Sequence, residues 1–425
     1  MMNRDYAHFL LLNIGHFLDH LFMLIFATVA ALALHREWGL SYSELLYYAT
    51  PGFVAFGVFA LPAGWIADRW SRDGIMVIFF VGIGLASILT GLTSTPFQVA
   101  LGLFAIGVFG AIYHPVGLAI VTMNWRNTGV RLAVNGVWGN LGVASAALIT
   151  GYFIDNGGWR AAFIVPGVVS ILIGVVYAGL RWQTIWANPV YASNNKSMSS
   201  SSNASRRQLW LRLSIIIFVT TAVSSVIFQS TTFALPKIFD ERLPAFAADL
   251  TRSLGFGETD LATAIGSIAF AVFAIASMAQ LVVGSLLDRY GPRRIFIVAA
   301  LLQLVFFALM PGASDGWAMI FALGFMLGAF GQIPINDFMI GKLATGAHRA
   351  RIYGVRYVVA FSVLALTLPL ISFVHGRYGF DILFIILAIA AAIVLAAVSL
   401  LPRQLPAPHD AEANTGGLQP QAAGK

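Results

Sequence analysis

The chain has 425 residues, 59% of them hydrophobic and only 10% charged, with a formal net charge of +7 and no cysteine. A soluble domain carries about a quarter charged residues, so this chain must be solvated mostly by lipid; the lack of cysteine excludes disulfides, thiolate metal sites and cysteine nucleophiles. The basic residues sit in short clusters between apolar runs rather than along one stripe, which argues against nucleic acid as a partner.

A helix needs about 20 apolar residues to cross a bilayer. Such runs lie near 8–34, 44–67, 74–93, 97–121, 131–154 and 159–180, then near 210–234, 259–287, 293–311, 316–341, 352–374 and 379–401. The first contains GHFLDHLFMLIFATVAALAL (Gly15 to Leu34). Arg4 and Ala31-Leu32-Ala33 loosely imitate a secretion signal, but a signal's apolar region is shorter and would not carry His16, Asp19 and His20, so the segment is expected to stay as a span. The expected fold is all-α, with twelve transmembrane helices in two pseudo-symmetric six-helix bundles. The expected boundaries are a first bundle over 1–182, a serine- and asparagine-rich cytoplasmic linker over 183–208, a second bundle over 209–402 and a disordered cytoplasmic tail over 403–425.

Charge orients the spans. With both termini cytoplasmic, nineteen of the 25 arginines and lysines fall on that side, a firm bias under the positive-inside rule. An internal repeat supports the division into halves: GWIADRWSRDG (Gly64 to Gly74) follows the second span and GSLLDRYGPRR (Gly284 to Arg294) follows the eighth. Duplicated halves are common among secondary transporters.

On these loops the sequence resembles the major facilitator superfamily, whose loop between the second and third spans reads G-x-L-A-D-R-x-G-R-[KR]. Asp68 and Arg69 match the first copy, with Ser71 in place of its second glycine; Asp288, Arg289 and Gly291 match the second. The resemblance implies a conformational gate built on Gly64, Asp68, Arg69, Arg72, Gly284, Asp288 and Arg289, in which the aspartate steadies the outward-facing state. A carboxylate near a helix N-terminus is favoured by the backbone dipole. Asp337 and Arg356, near the cytoplasmic ends of the tenth and eleventh spans, join the gating candidates; Asp337 could equally pair with Lys342, and Arg356 could anchor the cytoplasmic mouth.

An ionisable side chain at membrane depth costs at least ~2.5 kcal/mol and therefore faces the protein interior or water. His16 and Asp19, three apart, and His16 and His20, four apart, share one helix face. The fourth span carries Tyr113 and His114 before Pro115, at a depth like that of His16. The expectation is one hydrogen-bonded cluster of His16, Asp19 and His114 that takes up and releases a proton. In the resembled family the first, fourth, seventh and tenth spans line a central cavity. Polar residues on those helices and on the fifth supply the substrate-binding candidates His20, Tyr113, Asn135, Trp138, Asn140, Gln229, Gln332 and Asn336. Each histidine could instead be structural, bonding a carbonyl across the bundle. A metal site from His16, His20 and an acid is geometrically possible but lacks a second ligand cluster, so no metal and no cofactor is expected. Glycines 102, 107, 110, 136, 139, 142, 324, 328 and 331 are expected to let helices approach closely.

Within the superfamily the first half is similar to the fosmidomycin-resistance type of drug exporter, through GHFLDHLF, GVFGAIYHPVG and NGVWGNLG, where His16, Asp19, His114, Pro115, Asn140 and Gly142 match. That similarity implies proton-driven efflux of small organic compounds, here from the cell across the inner membrane; a twelve-helix chain encloses its own pathway and is expected to be able to act as a monomer, and not as an enzyme. Exporters of this kind usually carry Gly-Pro late in the fifth span, where this chain reads GVASAALITG. Proton-coupled import of a small organic solute or anion therefore stands as the alternative. A membrane enzyme would need a nucleophile–base pair, and a sensor a soluble output domain.

Overall fold

In the computed structural model, residues 4–125, 128–186, 204–253, 260–343 and 349–402 are described, and they are almost wholly helical. Most of the expected linker and all of the expected tail lie outside them. The long helices are α1 (Arg4–Glu37), α2 (Tyr42–Arg69), α3 (Arg72–Gly91), α4 (Pro96–Met123), α5 (Thr128–Gly157), α6 (Trp159–Ile185), α7 (Ala204–Arg242), α8 (Leu261–Tyr290), α9 (Pro292–Leu309), α10 (Asp315–Leu343) and α11 (Arg349–Ser399). Eleven helices among the described residues are long and apolar enough to cross a membrane. The twelfth expected span is the second arm of α11, which breaks at Gly379 (φ +74°, ψ −176°). That backbone conformation is open to glycine and strained for other residues. A short helix, Pro244–Ser253, follows α7, between the expected seventh and eighth spans.

Local chemistry starts several of these helices. Ser41 and Glu44 form a reciprocal capping box at α2: the Ser41 hydroxyl accepts from the Glu44 amide at 3.2 Å, and the Glu44 carboxylate accepts from the Ser41 amide at 2.8 Å. Ser71 caps α3 through the Gly74 amide at 3.1 Å, and Thr95 followed by Pro96 starts α4.

The packing repeats between halves. In the first, α1 lies on α5, α2 on α4 and α3 on α6; in the second, α7 lies on α11, α8 on α10 and α9 on the arm of α11 beyond Gly379. This is the pairing pattern of two pseudo-symmetric bundles. Glycines bring backbones together at these seams. A Cβ on Gly107 would stand 2.0 Å from the Gly52 carbonyl oxygen, and one on Gly142 would stand 2.2 Å from that of Phe17. Gly136 differs from the expectation, since a Cβ there would meet nothing within 4 Å.

The halves meet along α2–α11 and α5–α8, and three side-chain hydrogen-bonded contacts tie them at the Glu37 end of the bundle. Ser43 Oγ and His375 Nδ1 are 2.9 Å apart, and the Ser372 hydroxyl donates to the Ser43 carbonyl at 2.7 Å. Asp155 of α5 accepts from both the amide and the hydroxyl of Thr263 at 2.6 Å, which caps α8 from the opposite half. Gly151 and Gly266 sit reciprocally against backbone: added Cβ atoms would stand 2.2 Å from the Ala262 oxygen and 2.4 Å from the Ala147 oxygen. At the Arg4 end, Asp68 pairs with Arg72 across the α2–α3 turn at 2.7 Å, a contact inside one half.

Candidate functional site

The site is built where α1, α4 and α5 converge. Gly139 has no side chain because the His16 ring occupies that space; a Cβ would lie 2.7 Å from the ring. His16 Nδ1 lies 2.8 Å from the Asn135 carbonyl oxygen. A carbonyl only accepts, so Nδ1 carries the proton and the neutral ring presents its Nε2 lone pair. That lone pair faces His20 Nε2 at 3.2 Å, which makes the His20 nitrogen the donor when His16 is neutral.

Behind the histidines lies a buried polar scaffold. The Tyr113 hydroxyl donates to the Leu12 carbonyl at 2.7 Å, while the Asn135 amide donates to that hydroxyl and to Asn13 Oδ1, both at 2.9 Å. Tyr113 also stacks on His16 with centroids 4.8 Å apart. In α4 the helix widens to a π turn over Tyr113–Gly117. Pro115 supplies no N–H to the regular ladder there, and such turns recur at functional sites. The widened turn presents His114, whose ring edge meets both His16 and His20 with centroids 5.3 and 5.5 Å away.

Asp19 completes the group. Its side chain is 0% exposed, and neither carboxylate oxygen has a hydrogen-bond partner among the described residues. His114 Nε2 stands 3.4 Å from Asp19 Oδ2, with the His114 side chain 20% exposed. His114 therefore lies between a sealed carboxyl group and the accessible side of α4. His16, Asp19, His20, Tyr113, His114 and Asn135 are thus gathered into one cluster. One ring nitrogen from each of His16, His20 and His114 lies within 4.8 Å of the other two, a spacing a metal ion could bridge. The His16–His20 approach, at 3.2 Å, is also a hydrogen-bond distance.

The remaining candidates are dispersed. Trp138 and Asn140 are half-buried on α5, outside the hydrogen-bonded cluster. Gln229 is half-buried on α7, while Gln332 and Asn336 are buried on α10. Among the gating candidates, Arg69 stacks on Trp65 at 3.9 Å, Arg289 on Tyr290 at 5.2 Å, and Asp337 is exposed. Gly64 faces Pro115, an added Cβ standing 3.3 Å from the proline's, and Gly284 has nothing near it. The side chains of Asp288 and Arg356 lie outside the described set.

One ionic cluster was not anticipated. Asp73, in the first turn of α3, accepts from the Tyr177 hydroxyl at 2.7 Å, from Arg181 at 2.9 and 3.1 Å, and from Thr184 at 2.6 Å; His8 Nε2 lies 3.5 Å from it. The available signal was the Tyr177, Arg181, Thr184 spacing on one face of α6, opposite an acid just inside a helix start. Its carboxylate is fully partnered, as a structural tie between α1, α3 and α6 would be.

Comparison with known proteins places this geometry in context. Residues 12–248 and 243–423 each match the family described as the Major Facilitator Superfamily. The puromycin resistance protein of Streptomyces alboniger is 30% identical over 148 residues, 34% of this chain and 29% of that protein. An MFS-type efflux pump of Mycolicibacterium smegmatis is 25% identical over 260 residues, 59% of this chain and 56% of that protein. A gallate transporter of Pseudomonas putida is 23% identical over 143 residues, 33% and 32% of the two chains. The chain thus spans between about a third and about half the length of these curated relatives. Among solved structures, a bacterial homologue of the human lysosomal transporter Spinster, in an inward-facing and unoccupied conformation, superposes with TM-score 0.66 at 14% identity, covering 94% of this chain and 95% of the other. A POT family transporter bound to a thioalcohol-conjugated peptide gives 0.73 at 15%, covering 93% and 96%. At these identities the likeness is one of fold.

Proposed function

The chain belongs to the Major Facilitator Superfamily, and from that premise we propose that this multi-pass membrane transporter is a proton-coupled exporter of small organic compounds working by alternating access. One observation carries the reading: Asp19 is wholly buried with no hydrogen-bond partner among the described residues, and the partly exposed His114 stands 3.4 Å away. An ionised carboxylate so placed would be costly, so this conformation is read as the proton-loaded one. His114 is the port through which the proton arrives and leaves, and His16, oriented by Asn135, is the fixed acceptor beside it. The bias of arginine and lysine to one side supports cytoplasmic termini and an inner-membrane location. In that orientation the contacts at the Glu37 end close the outer face. Each chain carries both halves of the pathway and is taken to act as a monomer.

A second reading, proton-driven uptake, is favoured by α5, which continues through GVASAALITG with no proline. Reconstituted liposomes with a pH gradient imposed in either direction decide between them. Export by antiport gives substrate movement opposite to the proton gradient, and symport gives movement along it. Asp19→Asn is expected to abolish gradient-driven transport while the protein still folds; full gradient-driven transport in that variant would remove the coupling assignment.

A further inference from the structure

His20 has no part in the proton relay proposed above, yet the fold brings its ring to the same point as those of His16 and His114. One ring nitrogen from each of the three lies within 4.8 Å of the other two. His16 and His20, four residues apart on one face of α1, supply two of them, and the π turn of α4 supplies the third.

The spacing is that of metal ligands. Zinc binds histidine nitrogen at about 2.0–2.1 Å in a tetrahedron, which sets two such nitrogens about 3.3–3.4 Å apart. His16 Nε2 and His20 Nε2 are 3.2 Å apart. His114 would complete the set by moving about 1.5 Å or less, and its partly exposed side chain is the one with room to turn.

The rings are also held as ligands are held. A metal-binding histidine commonly donates its other N–H to a carbonyl or a carboxylate, which fixes its tautomer and angle. His16 does so through Nδ1 to the Asn135 carbonyl at 2.8 Å, and Asn135 is itself tied to Asn13 and Tyr113. His114 Nε2 stands 3.4 Å from Asp19 Oδ2. Neither oxygen of that carboxyl group has a hydrogen-bond partner among the described residues, so its charge is at hand to offset part of a dication's. The His20 ring offers its Nε2 lone pair once its proton sits on Nδ1 instead.

We propose that His16, His20 and His114 form a seat for one divalent transition-metal ion of the zinc kind, with the Asp19 carboxylate beside it as counter-charge. Neutral imidazoles suit zinc and its neighbours in the first row, whereas magnesium and calcium need oxygen ligands. A carrier path for metal would require a second ligand cluster; a resident ion requires only one. The assignment stands on this geometry, whether or not the same groups pass protons.

Its test is metal binding to the full chain in lipid nanodiscs, purified without a polyhistidine tag and measured with no substrate and no pH gradient. Calorimetry should find one zinc ion per chain at about micromolar affinity or tighter, with magnesium about a hundredfold weaker or worse. X-ray absorption of the zinc complex should count three imidazole ligands, and cobalt in the same seat should give the intense visible bands of a four-coordinate ion. His20→Ala and His114→Ala should each weaken zinc about a hundredfold, and Asp19→Asn about ten- to a hundredfold. His375→Gln, in the seam at the Glu37 end, should bind zinc as the parent does. Zinc should raise the melting temperature of the parent and not that of His20→Ala. The ligand count is made on the parent and so holds even if a variant does not fold. Fewer than three imidazoles, an affinity no better than magnesium's, or zinc bound as tightly by His20→Ala and His114→Ala as by the parent would overturn the proposal.

Discussion

Gly139 shows how strictly the residues proposed to couple protons are placed. Its missing side chain is the seat of the His16 ring, and a methyl group would stand 2.7 Å from that ring. Overpacking of this kind costs about 1–3 kcal/mol. Gly139→Ala should lower the melting temperature and, by breaking the bond from His16 to the Asn135 carbonyl, reduce gradient-driven transport. Melting together with proteoliposome flux checks it, and unchanged flux would show that the orientation of His16 is unimportant. At this scale the sequence was most informative where a side chain contradicted its surroundings. His16, Asp19 and His114 stood out as ionisable groups inside apolar runs, and their spacing and depth placed them together. Asp73 did not stand out, because it sits at a helix start where an acid is ordinary, and its partners are about a hundred residues away.

Between elements, hydrogen bonds across the seam tie the halves at the Glu37 end. Asp155 supplies α8 with the cap that Asp260, the residue preceding it, does not provide through its own side chain. Removing a capping side chain costs about 1 kcal/mol, a factor of roughly five in population. Asp155→Ala should therefore shift the molecule toward opening at the Glu37 end. The distance between spin labels placed on α5 and α8 at that end measures the shift, and an unaltered distribution would mean that the glycine contacts alone hold the seam. Neither Asp155 nor Ser43 and His375 could be paired from sequence, because such pairs depend on how the two halves are rotated. The spans themselves were legible from apolar length alone. The π turn at Tyr113–Gly117 was not, although Pro115 marked its place.

For the whole molecule, the lack of any cysteine makes state and orientation directly measurable. Asn140→Cys, half-buried on α5, should react with an impermeant maleimide from the side bearing the N-terminus. Ser43→Cys, buried in the closed seam, should be protected from either side. Comparing inside-out with right-side-out vesicles reads both at once: reaction of Asn140→Cys only in inside-out vesicles places the N-terminus in the cytoplasm, and rapid labelling of Ser43→Cys would show that the outer end is open at rest. The duplicated packing pattern was foreshadowed by the two Asp-Arg loops.

The reciprocal seats of Gly151 and Gly266 have a mechanical consequence. At these two points of the α5–α8 crossing main chain meets main chain with no side chain between them. If the cycle proposed above opens this seam, the hydrogen bonds beside it, Asp155 with Thr263 and Ser43 with His375, are the latches whose strength would set its tempo without touching what the molecule carries.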